Sequence, residues 1–346
     1  MRVLVAMSGG VDSSVAAARL VAAGHDVVGV TMKLWGGESD TGCCSVSDVD
    51  DARRVAQQLG IAHHTWTFTD DFERHVVGPY VDAHRRGATP NPCVECNRHL
   101  KFDRLTRRAW AVGFDAVATG HHARIVERPG GTRRLARGAD RAKDQSYVLY
   151  MLDQATLART LLPVGETSKA EVRAEAAALG LRTAAKPDSQ DVCFVTAARG
   201  RHDFLGHRIP LRRGVVVAGD GRAVGEVPAV ELVTVGQRRG LGLPGGGEPR
   251  YAVAVDVPGA TVRVGPQAEL LAESVTLGGV TWAGGPRAEQ VGAQCSAHGA
   301  VRPATVEPAP GGGAVIRFDR PERRVAAGQA VVLYDGDEVV GGGLAT

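Results

Sequence analysis

The stretch that most limits the fold is RVLVAMSGGVDSS, residues 2–14. A short apolar run, RVLVAM, ends on Ser8-Gly9-Gly10, and a helical pattern then runs from Asp12 to Ala23, with Gly24 just past its end. A brief apolar run bounded by turn residues reads as a strand buried on both faces. A glycine beyond the last helical position is a common C-terminal cap. A buried strand feeding a helix through a glycine turn opens a βαβ unit and so a parallel sheet.

The alternation continues downstream. Residues 25–33 give a second buried strand. Ser47, with Asp50 three later, predicts the start of a helix to Leu59, closed by Gly60. A strand follows over 62–67, helices over 71–86 and 94–111, and a strand over 115–120. The last helix, 166–180, carries Ser168 and Glu171 as a capping box. This pattern predicts a doubly wound α/β layer, which binds ligands at the carboxyl ends of its strands. Those ends are Ser8-Gly9-Gly10, Met32-Lys33 and Thr119-Gly120-His121-His122, predicted to line one crevice.

After about residue 205 the helical period disappears. Short runs such as VVVAG, YAVAVDV, AVIRFD and AVVLYDG are separated by Gly and Pro. They predict a small β module and then a barrel or sandwich. The 346 residues, 44% of them apolar and 23% charged, suit two or three such units. No apolar run reaches the roughly 18 residues of a membrane span. The N-terminus runs straight into the first strand, so the expected location is cytoplasmic.

A net charge of +3 neither demands nor excludes a nucleic-acid partner. Of 41 basic residues only five are lysine, at 33, 101, 143, 169 and 186; the other thirty-six are arginine. In so arginine-rich a chain, the remaining lysines mark positions where a compact ammonium is chemically required.

MSGGVDSS has the make-up of a phosphate cradle. Glycines allow close backbone approach, a helix N-terminus supplies N–H groups, and Ser8, Ser13 and Ser14 add hydroxyls. It lacks both the G-K-[ST] ending of a Walker loop and the G-x-G-x-x-G dinucleotide pattern. Asp12 beside phosphates suits a Mg²⁺ ligand. The six cysteines belong to a reducing compartment and predict no static disulfide framework. In TPNPCVECN (89–97), Cys93 and Cys96 form a Cys-x-x-Cys pair. By itself the pair suits half a zinc site, a redox pair, iron–sulfur ligands, or a nucleophile with a bystander. Cys96 falls in the first turn of a helix, where a thiolate is favoured, and Cys93 lies one turn back. Cys193 follows in KPDSQDVCF.

The glycine turn resembles the pyrophosphate loop of the N-type ATP pyrophosphatases. SGGVDSS, TMKLW, TPNPCVECNRHLKF, ATGHHAR, KDQSYVLY, KPDSQDVCF, GQRRGLG and GQAVVLYDGDEVVGGG occur, in this order, as in the bacterial tRNA-specific 2-thiouridylases. The resemblance covers nearly the whole chain. It implies a catalytic domain over 1–200, a small β-rich domain over 201–264 and a tRNA-binding β-barrel over 265–346. It implies ATP-dependent 2-thiolation of the wobble uridine of tRNA, by adenylation of the C2 oxygen and sulfur delivery from a persulfide on Cys193, with Cys96 as the catalytic partner. ATP would lie against Ala6, Met7, Ser8, Gly9, Gly10, Val11, Asp12, Ser13, Met32 and Gly120, with Mg²⁺ at Asp12. The target base would face Asn91, Pro92 and Cys93. The tRNA would meet His121, Lys143, Asp144, Gln145 and Gln329. A cysteine desulfurase, or a relay protein, would supply the sulfur.

The chain departs from the family in two places. Many members have Asp where this chain has Cys93, which removes a candidate proton handler. It also leaves three thiols, enough for a [4Fe–4S] cluster with one open iron as an alternative to the persulfide. A structural zinc would need His121 or His122 as well. In SAHGAVRPATVEP (296–308), Arg302 is the obvious phosphate contact, so tRNA binding is expected to lean also on Arg238, Arg239, Arg323 and Arg324. Cys43 and Cys44 are expected in a loop over 36–47, and Cys295 in a β core. On the residues alone, an amide-forming ligase and a non-catalytic nucleotide-dependent RNA-binding module stay open.

Overall fold

The computed structural model describes residues 1–35, 46–188, 192–195, 200–245 and 247–346. The expected loop with Cys43 and Cys44 thus lies outside the described residues, apart from Val46 and Ser47. Ser189 to Asp191 of KPDSQDVCF and Gly246 also lie outside them.

The N-terminal layer is a five-stranded sheet. Its strands are β1 (Arg2–Ala6), β2 (Asp26–Lys33), β3 (Ala62–Thr67), β4 (Ala116–Thr119) and the short Thr160–Leu161. Their spatial order is β3-β2-β1-β4 and then 160–161, and every pairing is parallel. The order reverses at β1, so β2 and β4 leave to opposite sides of it. That switch point is where an open α/β sheet forms its crevice. Val3, Leu4, Val5 and Val117 are fully buried, as their unbroken apolar runs require.

Val11–Ala22 is a helix that begins directly after the glycine turn. The helix Val46–Gln58 begins one residue before Ser47, so Ser47 lies inside the helix instead of capping it. The capping box at Ser168 is present. Its hydroxyl accepts from Glu171 N at 3.2 Å, while the Glu171 carboxylate accepts from Ser168 N at 2.7 Å. The predicted helices over 71–86 and 94–111 are each broken into three contiguous pieces. In the second these are Pro92–Glu95, a π-helical stretch Cys96–Arg104, and Leu105–Ala111. A π-helical insertion in an α-helix is uncommon and is often found at functional sites.

The middle module is a four-stranded sheet in the order Tyr251–Asp256, Thr261–Gly265, Gly214–Val217, Ala223–Val227. The C-terminal unit is a closed six-stranded barrel. Leu271–Trp282 pairs with Gly313–Arg323 on one side and with Glu338–Ala345 on the other, and so seals the ring. The hairpin β5 (Ala123–Glu127) and β6 (Arg133–Arg137) is among the elements not foreseen: it lies in the N-terminal stretch but extends the barrel's sheet through Ala136 and Glu338.

Barrel and α/β layer share one apolar core. Val94, Phe102, Tyr147 and Leu149 pack in the same cluster as Ala330, Val332, Tyr334 and Val339. Polar groups fix the join. The Tyr147 hydroxyl donates to Ala330 O at 2.6 Å, and the Ser146 and Tyr334 hydroxyls lie 3.0 Å apart. Burial pushes the Tyr147 phenol well above its ordinary range, so it remains a donor. Tyr147→Phe leaves Ala330 O buried without its partner. It is expected to cost about 1–2 kcal/mol, read as a lower thermal midpoint with unchanged circular dichroism; an unchanged midpoint would refute this role for the hydroxyl.

Candidate active site

The switch point opens into a cavity of about 450 Å³. Three strand ends reach it, as the sequence predicts: Ala6, Met7, Ser8 and Gly10 after β1, Met32 near the end of β2, and Thr119 to His122 after β4; the predicted Lys33 is not among the lining residues. The approach of β4 to the helix Val11–Ala22 is tight. A Cβ on Gly120 would lie 2.6 Å from Ser13 N and 2.7 Å from Asp12 C, so no residue but glycine fits there without backbone movement. Gly9 is glycine for a different reason. Its φ is +73°, and a Cβ would meet Asp48 O at 2.2 Å, so it accommodates the neighbouring helix and is not among the cavity-lining residues.

The cradle is well ordered. Ser13 Oγ donates to Gly10 O at 3.1 Å and accepts from Ser8 N at 3.2 Å. Ser14 Oγ also donates to Gly10 O, at 2.8 Å. Asp12 projects from the first turn of the helix. Both its oxygens are held by Lys169 Nζ, at 2.8 and 2.6 Å, and Oδ1 also lies 3.0 Å from His122 Nε2. Burial raises the Asp12 carboxyl, but hydrogen bonds from His122 and Lys169 outweigh it and leave its pKa below the ordinary carboxylate value. Lys169 continues to Asp188 at 3.0 Å, and Asp188 also meets Lys143 at 2.8 Å and Arg173 at 2.7 Å. Burial opposes ionisation of Asp188 as well. The hydrogen bonds and charges of Lys143 and Lys169 overcome it and hold this carboxyl far below its usual range.

The three thiols of interest lie on the same cavity. Pro92, Cys93 and Cys96 line it from the helix after the proline segment, and Cys193 lines it from beyond the described break at 189–191. Cys96 is buried and Cys193 packs against the same apolar cluster, together with Phe72 and Phe194. Asn91 is not a lining residue but the N-cap of this helix: its side-chain oxygen accepts from Cys93 N at 3.1 Å and from Val94 N at 3.4 Å.

The other sequence candidates divide in two groups. His121, Lys143, Asp144 and Gln145 line the cavity. Asp144 is nonetheless committed within the fold, with Arg137 at 2.7 Å and with Gly138 N, Ser146 N and Ser146 Oγ. Gln145 Oε1 accepts from His122 N at 2.9 Å, which fixes the loop after β4. Arg302 and Gln329 do not line the cavity. Arg302 pairs with Glu322 on the barrel surface, and Gln329 donates to Thr89 O, just before the proline segment. Cys295 packs against the barrel core, and burial lifts its thiol to about 11.

Sequence reasoning placed His122 at the crevice through the strand-end rule, but it missed Lys169 and Asp188 as site residues, and the barrel residue His298, which also reaches the cavity. The scarcity of lysine was the one signal that pointed to Lys169. Nothing local distinguished the others.

The residues fit some metal groups and not others. Asp12, a carboxylate at a helix N-terminus, suits Mg²⁺, which takes one or two protein carboxylates plus phosphate oxygens. Among the described residues, no three His, Cys, Asp or Glu side chains gather closely enough to hold a metal ion. Cys93, Cys96 and Cys193 line the same cavity. Among the described residues, no helix is long and apolar enough to cross a membrane.

Three family models match consecutive segments. They are described as a tRNA methyl transferase HUP domain (1–197), a tRNA methyl transferase PRC-barrel domain (202–266) and an aminomethyltransferase beta-barrel domain (273–345). The chain is 48% identical over 358 residues to a tRNA-specific 2-thiouridylase MnmA of Mycobacterium avium (strain 104), covering 99% of this chain and 98% of that one. It is 47% identical over 367 residues to the protein of the same name from Roseiflexus sp. (strain RS-1), with 99% and 98% coverage. The protein of that name from Chloroflexus aurantiacus (strain ATCC 29366 / DSM 635 / J-10-fl) is 47% identical over 350 residues, with 99% and 97% coverage.

His121 yields a pH prediction. Burial, helped by the charges of Lys101 and His122, keeps its pKa well below 6.5. The unfolded chain takes up a proton at about 6.5 that the folded site refuses, so stability is full above that value and falls as the pH drops below it. His121→Gln is expected to flatten the decline in thermal midpoint between about pH 7 and pH 5.5. An equal slope in variant and parent would contradict this.

Proposed function

The chain belongs to the tRNA-specific 2-thiouridylase family, and from that premise we propose the chemistry its cavity carries out. It is an ATP-using sulfurtransferase that forms 2-thiouridine in tRNA. The target is the wobble uridine. The observation that carries the reading is that Cys96 and Cys193, far apart in sequence, line the same cavity as the glycine turn.

The turn Ser8–Ser13 takes the ATP phosphates on backbone N–H groups and hydroxyls, with Ala6, Met32 and Gly120 bounding the nucleotide. Mg²⁺ at Asp12 would neutralise phosphate charge. The uridine leaves its stack to reach Pro92 and Cys93. Its C2 oxygen attacks the α-phosphorus, pyrophosphate departs, and donors preorganised at the turn stabilise the charge that develops. The outer sulfur of a Cys193 persulfide then forms a bond to C2, and AMP leaves with the oxygen. Cys96 thiolate attacks Cys193 Sγ and breaks the S–S bond. The electron pair stays on the sulfur at C2, and a Cys96–Cys193 disulfide remains for an external reductant to open.

Residues 1–200 would form the catalytic domain, 201–264 a linking module and 265–346 the tRNA-binding barrel, with Arg302 and Gln329 on the RNA side. The sulfur donor would be a cysteine desulfurase or its relay, and the compartment the cytoplasm.

Cys96→Ala and Cys193→Ala are each expected to lower 2-thiouridine formation by about 10³-fold or more, read by mass spectrometry of tRNA nucleosides. ATP and tRNA binding should persist. Wild-type product yield from either variant would sink the reading. Iron and labile-sulfide assay of anaerobically purified, active protein is expected to find neither, and stoichiometric iron would restore the cluster route.

A further inference from the structure

Lys169 and Lys143 both line the cavity, and both ammonium groups are held there by Asp188. Lys169 Nζ has three carboxylate oxygens within 3.0 Å: both of Asp12 and Oδ1 of Asp188. An ammonium has three N–H donors, so this one is saturated by anions. Its side chain is only 12% exposed, whereas that of Lys143 is 44% exposed. Around Asp188 stand three cations, Lys143, Lys169 and Arg173, against two carboxylates, Asp188 and Asp12. Asp140 adds a third carboxylate, accepting from Lys169 N at 3.0 Å, so the cluster is charge-balanced as it stands, beside a turn built to receive phosphates.

A carboxylate and a phosphate oxygen offer an ammonium the same kind of charge-assisted acceptor. Lysine suits an exchange between them, because its point charge sits on a flexible stem with no fixed fork geometry. Asp188 differs from Asp12 in its position. Asp12 is part of the glycine-turn helix, while Asp188 enters the cavity from another segment and contacts only cations among the described ion pairs.

We propose that Asp188 is an internal stand-in for phosphate: it holds Lys143 and Lys169 facing the cavity until ATP arrives, and the nucleotide's phosphates displace it and take both ammonium groups as counter-charges. Lys169 and Lys143 are then phosphate-binding residues outside the glycine turn, and Asp188 is a competitor that sets nucleotide affinity. This rests on the reading of the cavity as an ATP site.

The test is calorimetric titration of the full-length protein with inorganic pyrophosphate and with a non-hydrolysable ATP analogue, without tRNA. Removing the competitor by Asp188→Asn is expected to tighten pyrophosphate binding by about two- to tenfold. Lys169→Met is expected to weaken it by about tenfold or more, with partial recovery in Lys169→Arg. A purely structural Asp188 would give the opposite sign, so a folded Asp188→Asn variant that binds pyrophosphate equally or more weakly overturns the proposal. If that variant does not fold, Lys143→Met decides, because it alters an exposed side chain. Weaker pyrophosphate binding supports the proposal, and unchanged affinity, as expected of a residue that contacts only tRNA, overturns it. Failure of the wild-type protein to bind either ligand would instead remove the ATP-site reading itself, and the proposal with it.

Discussion

The end of β4 runs against the first turn of the helix Val11–Ala22 with no room for a side chain between them, and the rest of the site depends on that contact. Gly120 makes it possible. Because the two backbones touch there, the residues that follow Gly120 are delivered beside the residues of the glycine turn. His122 reaches Asp12, and Gln145 then pins His122 from the next loop. A parallel sheet creates the crevice, but this approach puts a carboxylate, a histidine and a lysine at its floor.

A second constraint comes from the barrel. Arg137, nearly buried, joins three things at once: Asp144 at 2.7 Å, Gln294 of the barrel at 2.7 Å, and the ring face of Tyr334 at 3.7 Å. A buried guanidinium is stable only when its donors are matched, and here the matching groups come from both units. The loop carrying Lys143 is thereby tied to the barrel, and His298 adds a barrel side chain to the cavity itself. The α/β layer and the barrel are thus joined through Arg137 and Asp144, which lie in the N-terminal stretch. The hairpin β5–β6, which extends the barrel sheet from the N-terminal part of the chain, makes the same join at the level of backbone.

Much of this was legible locally, because it depends on local rules. RVLVAM is apolar on every position and becomes a strand buried on both faces. The Ser168–Glu171 capping box forms as its spacing requires. The strand-end rule brings Ser8, Gly10, Met32 and Gly120 to His122 together from residue order alone. Local rules failed at particular positions. Ser47 looked like a cap but lies within a helix that starts at Val46. The Asp144 carboxylate is filled by Arg137 and by the backbone around it, which residue type alone does not show.

The sequence by itself determined the main alternation of strands and helices, the glycine turn with its serines, and a helix after the proline segment, whose first turn holds Cys93 and not, as expected, Cys96. Each follows from residue type and spacing within about a dozen positions. Only the tertiary structure decided that Lys169 meets Asp12, that Asp188 meets two lysines, and that Cys193 shares a cavity with Cys96. Those pairings join residues tens to more than a hundred positions apart. Nothing in a short window records them, because they come from the sheet's crossover connections and the docking of the barrel, which no local propensity encodes.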